Sequence, residues 1–142
     1  MKQKEKSAGF TLVELLLVLG ILAIISAIAI PSFMGQRRRA RLIGDAQSNA
    51  QVLRMQLETY KADNGIYGGS GTVLSWTSSG TVSGSTATAL NFTPKGNSKM
   101  NYNVTIGAGG QAYSLAVVDP NLGTGTVVYT TNQNGSSVVT PY

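Results

Sequence analysis

The stretch Gly9-Phe10-Thr11-Leu12-Val13-Glu14, continued by the apolar run LLLVLGILAIISAIAI and closed by Pro31, decides how this chain is built. As a helix rising 1.5 Å per residue, the roughly 21 residues from Phe10 to Ile30 span the ~30 Å hydrocarbon core of a bilayer. Their length and composition predict a transmembrane helix. The segment before it, Met1 to Gly9, is short and carries Lys2, Lys4 and Lys6, which suits a cytoplasmic flank and gives an N-in, C-out topology.

Ala27-Ile28-Ala29 has the form of a secretory cleavage site. A secretory signal has a shorter apolar core, however, and no use for a carboxylate in its first turn. Glu14 therefore sets this segment apart.

Beyond Pro31, apolar residues fall at Leu42, Ile43, Ala46, Ala50, Leu53, Leu57 and Tyr60, steps of three and four that make one helical stripe. Arg38, Asp45, Gln56, Lys61 and Asp63 are assigned to the other faces. Asn64-Gly65 supplies a left-handed terminus for this second half. Gly20 and Pro31 are the weak points of the long helix, and proline's missing donor predicts a kink or loosened stretch at Ala27 to Pro31.

After Gly65 the composition turns to Gly, Ser, Thr and Asn with short β-branched runs. Residues 66 to 91 read as a connection with short strand signals at Thr72–Trp76 and Thr81–Ser83, of undetermined register. Clearer alternation follows. Tyr102, Val104 and Ile106 lead through Gly107-Ala108-Gly109-Gly110 into Tyr113, Leu115 and Val117, and Thr126–Thr131 joins Ser136–Thr140 through Asn132-Gln133-Asn134-Gly135. The expected fold is α+β, with a long N-terminal helix packed on a four-stranded antiparallel sheet. Its expected segments are 1–9, 10–31 (membrane helix), 32–64 (amphipathic half) and 65–142 (loop and sheet head).

With 142 residues the chain has room for one compact domain and one helix. It contains no cysteine and no histidine, which removes the thiol nucleophile, the usual general base and the usual zinc ligands. Hydroxyls and six carboxylates remain. No enzymatic activity, cofactor or metal is expected. The net charge is +5, and setting aside Lys2, Lys4, Lys6 and Glu5 leaves eight basic against five acidic side chains, or +3.

The string Gly9 to Glu14 before an apolar run ending at Pro31 closely resembles the class III leader and helix start of type IV pilins and pseudopilins. The resemblance implies the pilin fold. It also implies a leader, 1–9, that prepilin peptidase removes between Gly9 and Phe10, N-methylation of Phe10, and a filament assembled from copies of the chain and other pilins on an inner-membrane platform. Glu14 would face the N-terminal amine of a neighbouring subunit, and Pro31 would mark where the helix adjusts on entering the filament. A carboxylate in a membrane span costs about 2.5–3.5 kcal/mol, so a partner for Glu14 is physically required. The precursor would be a single-pass inner-membrane protein, and the product an extracellular pilus or a periplasmic pseudopilus.

The helix end Tyr60-Lys61-Ala62-Asp63-Asn64-Gly65-Ile66-Tyr67 also resembles that of pilins and of major type II secretion pseudopilins. Those pseudopilins continue with a proline, where this chain has Gly68, and carry a late calcium loop, where this chain offers Asp119 and Asn121. The disulfide-bounded loop of larger pilins has no counterpart. The resemblance is specific over residues 1 to about 67 and architectural beyond.

Arg37, Arg38, Arg39 and Arg41 follow the span on the outer side, which strains the positive-inside rule. They read first as contacts to lipid headgroups in the precursor and to carboxylates of neighbours later. A nucleic-acid contact is the lesser reading, because nothing nearby reads bases. The leading function is a structural subunit of a type IV pilus-like filament, with a secretion pseudopilin or a bitopic membrane-anchored binding module as alternatives. A phosphatase reporter fused after Tyr142 is expected to be active outside the cytoplasm; activity only of a cytoplasmic reporter would reverse the topology.

Overall fold

The computed structural model describes residues 9–123 and 125–140, and residues 1–8 of the expected leader lie outside that range. One helix, α1 (Leu12–Asn64), is followed by β1 (Val73–Trp76), β2 (Val82–Ser83), a short α2 (Ser85–Ala89), β3 (Asn101–Ile106), β4 (Tyr113–Val118), β5 (Val127–Asn132) and β6 (Ser137–Val139). The chain falls into two compact units, one ending at Arg39 and one beginning at Ala40.

In the first unit α1 contains a window apolar enough to cross a membrane, and none of that window is buried in the chain's own fold. The helix runs without interruption through Gly20 and Pro31, so the loosened stretch expected at Ala27–Pro31 is not present. Proline withholds only one donor, from the carbonyl of Ala27, and the other helical turns remain available.

In the second unit the stripe appears as expected: Ala46, Ala50, Leu53 and Leu57 are fully buried, with Leu42, Ile43 and Tyr60 packed at its margins. Of the residues assigned to the other faces, Asp45, Gln56 and Lys61 are half-buried, and Arg38 and Asp63 are exposed. The helix ends where Asn64-Gly65 predicts. Gly65 adopts φ +80° and its amide donates to the Lys61 carbonyl at 2.7 Å.

The sheet has six antiparallel strands rather than four, ordered β2-β1-β3-β4-β5-β6. The two extra strands are the short signals read without register. β1 pairs along the edge of β3 that would otherwise expose its ladder, and β2 caps β1 with two residues. Register then aligns the buried face in rows across the sheet: Trp76, Tyr102, Val117 and Tyr129 in one, Leu74, Val104, Leu115 and Thr131 in the next. These rows, with the α1 stripe, form the core.

One irregularity matters. Val117 faces Tyr129 but Val118 faces Val127, so Val128 is an extra residue in β5, and both Val128 and Tyr129 are buried. The residues around α2 cover one end of the core. Phe92 stands edge-on between Trp76 and Tyr102, 5.4 Å from each ring centroid. The five residues Ser85-Thr86-Ala87-Thr88-Ala89 are too few to show a helical period, so α2 carries no signal in the sequence.

Leu53 sits at the centre of the stripe with no exposure. Leu53→Ala should lower unfolding stability by about 2–5 kcal/mol through lost burial and the cavity left behind, measured by denaturant melts of the full chain in detergent.

Candidate assembly site

Glu14 lies in the first turn of α1, and its carboxylate is engaged locally. Oε2 accepts from the Thr11 amide and from Thr11 Oγ1, both at 3.1 Å, while the Glu14 amide donates to Thr11 Oγ1 at 3.2 Å. This is a reciprocal capping box, with Thr11 as N-cap and Glu14 three residues on. It satisfies donors that a helix start leaves bare and places negative charge at the positive end of the helix dipole. Oε1 makes no hydrogen bond to a described residue. Thr11 had no assigned part in the sequence reading, although the spacing Thr-x-x-Glu before an apolar run is its signal.

Gly9 and Phe10 precede the helix and are exposed, Phe10 by 86 %. From Phe10 to Met34 each leucine, isoleucine, valine, phenylalanine and methionine is at least half exposed, Val18 the least at 50 %. A continuous apolar surface of this kind marks a membrane or protein contact. Pro31 is exposed within it.

Arg37, Arg38 and Arg39 are exposed in the first unit, and Arg41 is exposed in the second. The Arg37 guanidinium lies 5.9 Å from the Phe33 ring centroid, which holds its stem along the helix.

No group of three or more metal-ligating His, Cys, Asp or Glu side chains occurs among the described residues. Asp119 is 2 % exposed, and its Oδ1 accepts from the Asn121 amide at 2.9 Å and from Asn121 Nδ2 at 3.0 Å. It caps the 3₁₀ turn Pro120–Leu122. One carboxylate so committed does not fit a calcium ion, which takes about six to eight oxygens.

A polar cluster ties α1 to the head. The Tyr67 hydroxyl lies 2.9 Å from each oxygen of Glu58, and Arg54 Nε donates to the Tyr113 hydroxyl at 3.3 Å. The two rings meet edge-on at 4.7 Å, with Lys61 Nζ 4.5 Å from the Tyr67 centroid. Burial, then the Glu58 hydrogen bond, pushes the Tyr67 hydroxyl up to about 12. Burial likewise carries Tyr102 to about 12 against the opposing Asn49 hydrogen bond, and raises Tyr113.

Comparison with known proteins adds the following. A family model described as the prokaryotic N-terminal methylation motif matches residues 4–30. The chain is 37 % identical over 65 residues to type II secretion system core protein G of Aeromonas hydrophila, covering 46 % of this chain and 45 % of that protein. It is 41 % identical over 64 residues to the type IV wide pilus major component PilA4 of Thermus thermophilus, 44 % of this chain and 47 % of that protein. It is 53 % identical over 38 residues to prepilin peptidase-dependent protein D of Escherichia coli K12, 27 % and 26 % of the two chains. The matched segment thus spans less than half the length of these relatives. No solved structure matches the chain.

Because the folded state holds the Tyr67 and Tyr102 protons above the ordinary value near 10, their contribution to stability is full below pH ~10 and is lost as pH rises towards ~12. Melting temperature should fall across that window. A Tyr102→Phe variant should show a shallower fall, followed by circular dichroism.

Proposed function

We propose that this chain, a member of the type IV pilin and pseudopilin family by its N-terminal half, is a structural subunit of a pilus-like filament. The observation that carries the reading is an unburied apolar helix from Leu12 onward that opens with a capped carboxylate. Such a surface needs lipid before assembly and other helices after it.

In this reading prepilin peptidase cuts between Gly9 and Phe10, and the new amine on Phe10 is N-methylated. The amine stays cationic. In the precursor the capping box gives the Glu14 carboxylate two hydrogen bonds, both to Thr11, and so offsets part of its cost in lipid. In the filament the same carboxylate pairs with the Phe10 amine of a neighbour, and an unpaired charge in the bundle is strongly penalised, so the pair enforces axial register. Pro31 is where the helix yields on entering the filament. Arg37, Arg38, Arg39 and Arg41 contact headgroups first and neighbouring carboxylates later. The precursor is a single-pass inner-membrane protein, N-in and C-out, and an assembly platform in that membrane receives it.

The poor fit of Asp119 to calcium supports a surface pilus. The likeness to type II secretion core protein G favours a second reading, a periplasmic pseudopilin. Filaments in sheared surface fractions that contain this chain would select the first; filaments confined to the periplasm would select the second.

Mass spectrometry of the purified protein should give a mature N-terminus at methylated Phe10, and retention of Met1–Gly9 would overturn the proposal in favour of a membrane-anchored binding module. Glu14→Ala should be cleaved normally while filament yield drops at least about tenfold, the loss set by one unpaired amine in a low-dielectric bundle. Normal yield would sink the pairing.

A further inference from the structure

We infer that the cleft between the 77–80 turn and the 93–99 loop binds a small acidic saccharide through its carboxylate. It lies in the head, and the argument for it does not rest on filament assembly.

Both walls are built. Asn49, 5 % exposed on α1, reads the backbone of Lys95 as a paired strand would: its Nδ2 donates to the Lys95 carbonyl at 2.7 Å and its Oδ1 accepts from the Lys95 amide at 2.9 Å. Nδ2 also donates to the Tyr102 hydroxyl at 2.9 Å. Next along the loop, Gly96 at φ +97° packs on Asp45, where an added Cβ would fall 2.7 Å from Oδ2. Lys99 takes φ +47°, a conformation that non-glycine residues hold only where the surroundings impose it. Across the cleft, the Ser78 amide donates to Asn101 Oδ1 at 2.7 Å, and Thr77 Oγ1 bonds Ser79 Oγ at 2.8 Å. Neither wall has to order on binding, which removes an entropic cost.

The chemistry of the lining sets the ligand class. The space is about 200 Å³, bounded by Pro94, Ser98 and Met100 as well as the two walls. That is below the ~300–1,000 Å³ of drug-sized sites and suits one monosaccharide. Ser98 lines the cleft and makes no hydrogen bond to a described residue, and its hydroxyl is open to solvent. An accessible hydroxyl can exchange its water for a polar group of a ligand. Lys95 and Lys99 line the cleft and are exposed. Two ammonium groups among hydroxyls favour an anion that carries hydroxyls of its own, as in a hexuronate.

Trp76 is the only tryptophan in the chain, immediately precedes Thr77, and touches Phe92, which touches Tyr102. Its fluorescence therefore reports on this end of the head. Titrating the full chain in detergent with glucuronate should give a saturable emission change, at least about tenfold weaker with glucose, and weakened by added salt through charge screening. Lys95→Gln/Lys99→Gln, altering two exposed side chains, should keep the free emission spectrum and lose at least about tenfold in affinity, and Ser98→Ala should weaken binding further. Equal response to glucose, an unchanged titration in the double variant, or inorganic phosphate binding as tightly as glucuronate would overturn the inference.

Discussion

The buried stripe of α1, Ala46, Asn49, Ala50, Leu53 and Leu57, shares its core with the sheet. Everything in the head is arranged around it. These two alanines and two leucines are buried in the same core as the rows that hold Tyr102 and Val104. Because the sheet has one face on this stripe, its register cannot slip by a residue without turning Leu115 and Val117 outward. The bulge at Val128 is the one adjustment, and it lets two adjacent β5 side chains enter the same core.

The polar contacts fix the loops to that core. Glu58 and Arg54 on the helix hold Tyr67 and Tyr113, and Asn49 holds Lys95. The Arg54 and Asn49 contacts join α1 to segments far away in sequence, the Glu58 contact to one nine residues on, and all three are partly shielded from water. The head can thus present long glycine-rich connections in definite shapes. In the first unit the demand is opposite: an apolar surface must stay uncovered by the chain's own fold to be available to lipid or to other helices. Glu14 stands at the start of that surface, and Thr11 supplies its carboxylate with local partners.

How much of this could be read in advance differs from residue to residue. The apolar span, Glu14 and the stripe announce themselves through length, charge and a 3.6-residue period. The hairpin of β3–β4 shows alternation and a glycine-rich turn, and that of β5–β6 shows turn residues. β1 and β2, at four and two residues, are too short to carry a register. Asn49 sits in the buried stripe as a polar residue, and its partner lies 46 residues away. The Thr11-to-Glu14 spacing before an apolar run is a local signal for the capping box that the structure shows. The half-burial of Asp45 depends on a loop that no helical pattern predicts.

The sequence by itself determined that a long apolar helix starts with a costly carboxylate, continues as an amphipathic half and precedes an antiparallel sheet. Each of those features is periodic or local, and so survives without knowledge of distant contacts. Only the tertiary structure decided that six strands join the sheet, that Val128 bulges, that Asn49 pins the 93–99 loop, and that Ser98 is left facing a cleft between two lysines. Those outcomes depend on which hydrogen-bonding groups meet across tens of residues, and no local period encodes such meetings.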